Sequence, residues 1–572
     1  MDEAMVLNAQ ARAGRFRRLG SRVRASAPTR VEWGLSVASA ALLVLSFPNF
    51  DLWPLAWAGL VPLFVAVARR PERGRAFLLG WATGTLFFYG SCYWLTYAMV
   101  RYGEIPAWIA YPLLIPVVVV VGLFPATCCL LLARALARWG PRALLAAPFF
   151  WVALEWGRLG LTGQLWNAVG YSQAYVPTLI LPARWGGVYA VGFLIVSVNA
   201  ALAYALLLRS GRALKSSAIA VALVACLLLA TFLAARSDAQ GAEAAPDDAA
   251  RPEAVVIAVQ PNVPMESFKS AAEMESLINR HLTLSEGALA EWERSVRGLD
   301  SSAPGAQAVG AGLSPSRPDV ARVVVWPESP MNFSYARDTE FRDLLARFAG
   351  RNHTSVLFNS QEPAPANGTY NAAVMVNEEG RLIAQYDKIR LLPFGEYVPL
   401  PRWLPGVSLI PTMVGDFTPG AEYPLMPLGQ ARAGVFICFE SAFPSITRHF
   451  VQAGADVLVN ITNDGYLGPT PVMRQHLANT IFRAVENNRP VLRVTNTGIT
   501  AHVSGLGRVT DETKGYEPAV RAWSVRRTTA GKTFYTQYGD LFVGSCALFA
   551  LALAVASWSQ RPASGAGRAR IR

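Results

Sequence analysis

The chain has 572 residues, of which 52% are hydrophobic and 16% are charged, and its formal net charge is +13. This composition excludes a single soluble globule, which would be more polar, and a chain of transmembrane helices throughout, which would be more apolar. The arginines cluster beside apolar runs, and no RNA- or DNA-reading motif accompanies them. We therefore attribute the charge to membrane topology and predict no nucleic-acid partner.

Eight apolar runs are long enough, or nearly so, to cross a hydrocarbon core of about 30 Å. They lie at 34–48, 52–68, 76–98, 108–133, 143–157, 186–208, 216–235 and 541–558. The first two runs meet at residues 47–51, where Pro48 predicts a tight helical hairpin. Every second short loop is rich in arginine, so the positive-inside rule places both termini in the cytoplasm and 237–540 on the opposite side.

These boundaries divide the chain into consecutive parts. We predict a basic cytoplasmic tail (1–33), a seven-span bundle (34–235), a linker (236–252), an outer domain (253–539), a last transmembrane helix (540–558) and a second cytoplasmic tail (559–572). Residues 298–319 are rich in Gly, Ser, Pro and Ala, which predicts a disordered surface insertion. The apolar, proline-broken stretch 401–413 is either a flap that dips into the outer leaflet or a loop packed on its own domain.

In the outer domain, short β-branched apolar runs alternate with helical stretches. The predicted strands are 254–259, 322–326, 355–358, 373–376, 434–439, 457–461 and 491–495, and amphipathic helices are predicted at 271–297 and 471–488. Strands that are apolar on both faces indicate a buried sheet, so we predict an α/β or α+β sandwich.

Three reactive side chains, Glu328, Lys388 and Cys438, lie at or just beyond strand ends, where α/β enzymes place reactive groups. Cys438 is the only cysteine between residues 227 and 545, so it has no disulfide partner in the outer domain. A nucleophile is the leading interpretation, and a buried inert cysteine is the alternative. A helix predicted at 442–450 would place the thiol near a helix N-terminus, which lowers a thiol pKa.

A carboxylate, an ammonium and a thiol together suit acyl transfer. The carboxylate takes the thiol proton, the thiolate attacks a carbonyl, and the ammonium with the Phe439 N–H holds the oxyanion. No histidine stands in a nucleophile motif, and no His-x-x-x-His or Cys-x-x-Cys pair occurs in the domain, so we predict no metal and no cofactor. Near the outer end of the fifth run, Glu155 and Arg158 pair with each other, contact a lipid headgroup, or extend to the interface.

The order Trp326-Pro327-Glu328, Tyr386-x-Lys388 and Cys438-x-Glu440 resembles the nitrilase superfamily. Longer matches resemble the bacterial apolipoprotein N-acyltransferase family. They lie at 386–400, 460–466, 475–477 and 489–498, and, in the membrane part, at 155–156, 166–173 and 535–540. The resemblance implies a polytopic α-helical membrane bundle of about eight spans that carries a nitrilase-like αββα sandwich domain. It also implies the bacterial inner membrane, with that domain in the periplasm.

The resemblance also implies an activity and roles for particular residues. The expected reaction moves a fatty acyl chain from a phospholipid, phosphatidylethanolamine, to the N-terminal amine of a diacylglyceryl-cysteine apolipoprotein, and we expect a monomer. The resemblance implies that Glu328 is the general base, that Lys388 stabilises the oxyanion and that Cys438 is the nucleophile. Supporting residues are Glu396, Phe439 and Glu440, and candidate substrate contacts are Trp166, Phe268, Trp403, Asn463 and Tyr466.

The sequence departs from the family pattern at two places. Phe439 stands where the family usually has tyrosine, and residues 265–269 replace a Lys-Trp pair of the family. Two other functions remain open from the residues alone. One is a membrane-tethered amidase that hydrolyses small amides, and the other is a transporter or receptor whose outer domain captures a ligand.

Overall fold

The computed structural model describes residues 27–243, 252–265, 269–296, 320–398, 403 and 415–558. The predicted insertion at 298–319 and the candidate contact Phe268 lie outside these residues. The apolar stretch 401–413 also lies outside them, except for Trp403.

The described helices fall into a membrane part, an α/β domain and a last helix. The membrane part contains α1 (Arg30–Leu45), α2 (Ala56–Gly59), α3 (Val61–Arg69), α4 (Arg73–Cys92), α5 (Leu95–Arg101), α6 (Ala107–Trp139), α7 (Ala147–Thr162), α8 (Pro177–Ile180), α9 (Ala183–Leu208) and α10 (Gly211–Glu243). The α/β domain contains α11 (Ala271–Val296), α12 (Thr339–Asn352), α13 (Pro444–Gln452), α14 (Val472–Asn487) and α15 (Phe534–Tyr538), and α16 (Leu541–Trp558) follows it.

Helix starts and breaks in the membrane part follow local sequence signals. Helix α1 begins with a capping box, in which the Thr29 side chain accepts from the Glu32 N–H and the Glu32 carboxylate accepts from the Thr29 N–H. The break expected at residues 47–51 is present, because α1 ends at Leu45 and the next α-helix begins at Ala56. Helix α10 continues to Glu243, beyond the predicted end of the seventh run at 235.

Four described segments are long and apolar enough to cross a membrane: Ala107–Thr162, Ala183–Leu208, Gly211–Ser237 and Leu541–Trp558. The first of them holds both α6 and α7, which a short 3-10 helix at Gly140–Ala146 separates. The predicted number of eight spans is therefore not confirmed. The run at 52–68 is divided between α2 and α3. Its apolar helical segment, Trp53–Arg69, is shorter than the four segments above.

Small residues bring α4 and α6 into close contact. A Cβ atom placed on Gly80 would lie 2.6 Å from the carbonyl oxygen of Pro125, and one placed on Gly84 would lie 3.1 Å from the Gly122 Cα. Such close approach is how helices associate where lipid removes the hydrophobic driving force. These glycines thus explain why α4 packs along α6 despite its modest apolar content.

Two six-stranded sheets form the core of the described α/β domain. The strands are β1 (Ala254–Gln260), β2 (Ala321–Val325), β3 (Ser355–Ala364), β4 (Gly368–Val376), β5 (Leu382–Asp387), β6 (Leu425–Leu428), β7 (Ala431–Ile437), β8 (Val457–Thr462), β9 (Val491–Thr495), β10 (Ala501–Val503), β11 (Val509–Thr510) and β12 (Ala519–Val525). The first sheet has the order β12-β1-β2-β3-β4-β5, and the second has the order β11-β10-β9-β8-β7-β6. The seven predicted strands are confirmed, and the sequence missed β5, β6, β10, β11 and β12.

Each sheet presents one face to helices and the other to the second sheet. In β1, Val255 and Ile257 pack in a cluster with residues of α11 and α12, whereas Val256 and Ala258 belong to the core shared by both sheets. On the second sheet, α13 packs against β7 and α14 against β9. The expected αββα layering is observed, because strands with period-two side chains can bury both faces only between two covering layers.

A buried glutamine on α14, Gln475, joins the α/β domain to the membrane part through hydrogen bonds. The Gln475 Oε1 atom accepts from the indole N–H groups of Trp94 (3.1 Å) and Trp166 (2.9 Å). Its amide nitrogen donates to the carbonyl oxygens of Pro48 and Ser91, each at 3.0 Å. A buried amide that is fully paired specifies one arrangement of its partners, so Gln475 fixes α14 against the membrane part.

Candidate active site

A buried ammonium lies between two carboxylates at one edge of the first sheet. Lys388 follows β5, and its Nζ atom lies 2.9 Å from Glu396 Oε1 and 3.4 Å from Glu328 Oε1. The Asn371 amide donates to the same two oxygens, at 2.6 and 3.0 Å. Burial opposes the charge on Lys388, but the Glu328 and Glu396 carboxylates outweigh it and raise the lysine pKa. Lys388 is therefore an ammonium.

Cys438 faces this group from the second sheet. It follows β7 directly, and its backbone has a φ of +52°, a left-handed conformation that is uncommon for a residue with a side chain. The thiol interacts electrostatically with Glu328 and Lys388. The structure thus brings together the three residues that the sequence singled out, from strand ends of two different sheets.

The predicted lowering of the thiol pKa is wrong. Burial raises the pKa of Cys438, and the Glu328 carboxylate raises it further, while Lys388 lowers it. The chain after Cys438 forms a short 3-10 helix at Cys438–Ala442, and Phe443 is extended before α13 begins at Pro444. The thiol therefore does not lie at the N-terminus of α13. The resting form is a thiol beside a carboxylate that can take its proton.

Glu440 holds the backbone on both sides of the site. Its Oε1 atom accepts from the Tyr386 hydroxyl at 2.7 Å and from the N–H groups of Ile389 and Arg390 at 2.8 and 3.0 Å. Its Oε2 atom accepts from the Ile437 N–H at 2.8 Å. Glu440 thereby connects the residue before the nucleophile with the two residues after Lys388.

We expect Glu440→Gln to weaken both folding and acylation of Cys438. An amide offers one acceptor oxygen, so its NH₂ group must face a backbone N–H, and each unsatisfied buried donor costs about 1–3 kcal/mol. Chemical unfolding and the rate of Cys438 acylation measure the two effects. Glu362→Gln is the matched control, because Glu362 is also buried and accepts from the Tyr335 and Ala336 N–H groups away from the site. An equal loss of acylation per folded molecule in both variants would contradict this role.

The membrane part supplies an aromatic wall to the site. The Trp166 ring stacks on Phe439, with centroids 6.2 Å apart and planes 17° apart, and it also contacts Trp94. On another side, Tyr466 lies edge-on to Tyr102 of the membrane part, with centroids 6.0 Å apart. Burial raises the Tyr466 pKa, and the carboxylates of the site raise it further.

The remaining sequence-predicted residues are placed less centrally. The Asn463 amide lies 3.1 Å from Met265 Sδ, and its oxygen accepts from the Gly465 N–H at 3.1 Å. The Trp403 side chain is 79% exposed. Glu155 accepts from the Trp151 indole and the Val169 N–H rather than forming a hydrogen-bonded pair with Arg158. Arg158 instead donates to the Trp166 carbonyl oxygen at 2.8 Å.

Sequence reasoning missed a charged group behind the nucleophile. The His476 ring lies 2.7 Å from Asp464 Oδ1 through Nδ1 and 2.9 Å from the Cys438 carbonyl oxygen through Nε2. Arg493 donates to Asp464 Oδ2 at 2.9 Å and to Asn460 Oδ1 at 2.7 Å. The motifs at 460–466, 475–477 and 489–498 contain all four residues, but motif position alone does not reveal a contact with a backbone carbonyl.

Comparison with known proteins agrees with this architecture. Residues 258–556 match the carbon-nitrogen hydrolase family model, and residues 39–201 match the model of the apolipoprotein N-acyltransferase N-terminal domain. The class is thus a carbon-nitrogen hydrolase domain attached to a membrane part. An apolipoprotein N-acyltransferase of Geobacter metallireducens is 32% identical over 536 residues, which cover 93% of this chain and 96% of that protein. The chain belongs to the apolipoprotein N-acyltransferase family.

Other relatives also align with most of this chain and over most of their own length. The apolipoprotein N-acyltransferase of Rhizobium rhizogenes is 30% identical, covering 85% of this chain and 89% of its own length. That of Chlorobaculum tepidum is 28% identical, covering 90% and 94%. Among solved structures, an amidase from Nesterenkonia sp. is 16% identical and covers 50% of this chain and 93% of its own, with a TM-score of 0.32.

Proposed function

We propose that this protein transfers a fatty acyl chain from a phospholipid, phosphatidylethanolamine, to the N-terminal amine of diacylglyceryl-cysteine apolipoproteins. The observation that carries this proposal is the group of Glu328, Lys388 and Cys438 beside an aromatic wall supplied by the membrane part. The names of the relatives support the choice of acceptor.

The first half-reaction attaches the acyl group to Cys438. Glu328 takes the Cys438 proton, and the sulfur attacks the ester carbonyl carbon of the phospholipid. The oxyanion that forms is held by the Lys388 ammonium and the Phe439 N–H. When the intermediate collapses, the ester C–O bond breaks and Glu328 returns the proton to the departing alkoxide. The products are a thioester on Cys438 and a lysophospholipid.

The second half-reaction transfers the acyl group from Cys438 to the lipoprotein amine. The lipoprotein α-amine attacks the thioester carbonyl and gives its proton to Glu328, and the same two donors hold the new oxyanion. Collapse breaks the C–S bond, and Cys438 leaves as thiolate and regains the proton from Glu328. One site thus serves two acyl acceptors in turn, which is ping-pong kinetics.

Supporting residues hold the charged groups of the site in position during both half-reactions. Glu396 is 3% exposed and shares Lys388 and Asn371 with Glu328, so it holds the ammonium aligned while Glu328 changes its protonation state. Phe439 has no hydroxyl, so it contributes a backbone N–H and an apolar ring against Trp166. We assign Trp166, Asn463 and Tyr466 to substrate contact, and we extend this assignment to Phe268 and Trp403.

The membrane setting fits the substrates. Extracting an acyl chain from a bilayer costs about 0.8 kcal/mol per CH₂ group, and a catalyst mounted at the bilayer surface avoids that cost. We propose a monomer in the bacterial inner membrane with eight spans, a periplasmic catalytic domain and both termini in the cytoplasm.

The amidase alternative is not favoured. A hydrolase of small soluble amides has no need of side chains from a membrane part, yet Trp94, Trp166 and Tyr102 reach the candidate site from there. Family membership likewise disfavours a transporter or receptor.

Trapping the acyl-enzyme tests the proposal. Purified protein in detergent is incubated with phosphatidylethanolamine alone, and intact-mass and peptide mass spectrometry are expected to find one acyl group on Cys438. Adding a synthetic diacylglyceryl-cysteine peptide is expected to remove that group and yield an N-acylated peptide. An unmodified Cys438, or an acyl group that is released only to water after the peptide is added, would overturn the proposal.

A further inference from the structure

We infer that His476 is a doubly protonated positioning residue that fixes the peptide between Cys438 and Phe439 and thereby aims the Phe439 N–H at the oxyanion. The inference rests on the proposed function, because this oxyanion forms only during acyl transfer. No part of the reaction scheme above uses His476, Asp464 or Arg493.

The hydrogen-bond partners of the ring fix its protons. His476 is 4% exposed, and each ring nitrogen faces one oxygen: Asp464 Oδ1 at 2.7 Å and the Cys438 carbonyl oxygen at 2.9 Å. A backbone carbonyl can only accept a hydrogen bond, and so can an ionised carboxylate. If Asp464 is ionised, both ring nitrogens must therefore carry a proton.

Asp464 is held in its ionised form. Burial raises its pKa, but Arg493 and His476 outweigh burial and lower the pKa from its ordinary value. Arg493 donates to Asp464 Oδ2 at 2.9 Å and is itself fully buried. The imidazole, the guanidinium and the carboxylate together leave one net positive charge behind the nucleophile.

The neighbours of the ring on every side agree with this charge. Trp166 of the membrane part contacts the ring, with centroids 5.7 Å apart, and is neutral. Asp464, which follows β8, bonds to the ring, and Arg493 of β9 bonds to Asp464. Glu328 and Lys388 lie beyond Cys438, where they act on the thiol. The nearest anion is thus Asp464, to which His476 is directly bonded.

Geometry links the ring to the oxyanion donor. The Cys438 carbonyl and the Phe439 N–H belong to one trans peptide, so they point in opposite directions. When His476 holds the carbonyl on one side, the N–H points away from the ring. A cation bonded to the carbonyl also polarises the peptide, which makes its N–H a stronger donor.

Two backbone anchors maintain the unusual conformation at Cys438. The φ of +52° is costly for a residue with a Cβ atom, and such strain persists only where the surroundings hold it. Glu440 holds the Ile437 N–H before the nucleophile, and His476 holds the carbonyl after it. Gln475, the neighbour of His476 on α14, bonds to Trp94 and Trp166, so the membrane part fixes the helix that carries the ring.

Two substitutions separate positioning from simple structural support. The amide nitrogen of His476→Gln can replace Nε2 and keep a donor to the Cys438 carbonyl, whereas that of His476→Asn replaces Nδ1 and keeps only the bond to Asp464. We expect the single-turnover rate of Cys438 acylation to fall about tenfold in the glutamine variant and about 10²–10³-fold in the asparagine variant, as for loss of an oxyanion donor. The KM for phosphatidylethanolamine is expected to stay within about twofold in both, since the loss lies in the transition state.

The controls make each outcome decisive. His502→Gln replaces a histidine of the same domain that contacts Thr510 Oγ1 at 3.3 Å, and it is expected to acylate like the wild type. Equal losses in the two His476 variants, a larger loss in glutamine than in asparagine, or a loss confined to KM would overturn the inference.

A second readout does not depend on acyl transfer. Alkylation of Cys438 by a neutral reagent requires the thiolate, so its rate rises with pH. Loss of the cation is expected to move this rise to higher pH in both His476 variants but not in His502→Gln. An unmoved profile would overturn the inference. A moved profile in a protein whose wild type forms no thioester would instead overturn the proposed function alone.

Discussion

Replacing Cys438 with alanine is expected to abolish acyl transfer, with a loss on the order of 10⁶-fold, because no other group at the site can form the covalent intermediate. Glu328 and Lys388 remain in place in this variant, so phospholipid binding is expected to survive. Incubation of the variant with phosphatidylethanolamine and a diacylglyceryl-cysteine peptide, followed by mass spectrometry of the peptide, measures the loss. A variant that still N-acylates the peptide at a measurable enzymatic rate would exclude the thioester route.

Cys226→Ala is the matched control for this experiment. Cys226 is the exposed cysteine of α10, far along the chain from the site, and its removal is expected to leave the rate unchanged. The pH dependence gives a further check. Because burial and Glu328 raise the pKa of Cys438, the thiol is protonated at neutral pH, and alkylation of the wild type is expected to rise steeply only in the alkaline range. A plateau already present at pH 6 would contradict this assignment.

Glu328, Lys388 and Cys438 could be predicted as candidate site residues because each follows a strand, and the ends of strands can be recognised in the sequence. Glu328 follows β2 and Cys438 follows β7, and both strands end in a run of buried apolar residues. Strands β10 and β11 were missed because they are only three and two residues long. Strand β5 was missed because it lies at the sheet edge, where Leu382 and Ile383 are exposed and the burial pattern is irregular.

Properties that depend on the surroundings of a side chain were not predictable in the same way. The thiol pKa follows from burial and from Glu328, which lies on a distant part of the chain, whereas the sequence suggested only a helix N-terminus. His476 contacts a backbone carbonyl. Because every residue has such a carbonyl, the residue types in the sequence do not reveal this contact. The number of eight spans stays a prediction, because helix length and composition identify four candidate segments among the described residues and apolar content does not distinguish a crossing helix from a broken or buried one.

Lys388→Met is expected to cause the second largest loss. Methionine keeps the length of the side chain but removes the positive charge that the buried Glu396 and the partly buried Glu328 share, and breaking a buried ion pair such as Lys388–Glu396 costs about 3–5 kcal/mol. Loss of the oxyanion donor is expected to slow Cys438 acylation by a further factor of about 10²–10³. Thermal or chemical unfolding and single-turnover acylation measure the two effects separately.

A double variant separates stability from chemistry at this lysine. In Lys388→Met with Glu396→Gln, one carboxylate charge is removed together with the ammonium, so Glu328 no longer faces a second anion and much of the lost stability is expected to return. Acylation is not expected to return, because no cation then holds the oxyanion. Lys532→Met, which removes an exposed ammonium that bonds the Gln452 carbonyl, is expected to behave like the wild type. Recovery of acylation in the double variant would mean that Lys388 serves only to balance charge, and the oxyanion role assigned to it would then have to pass to the Phe439 N–H alone.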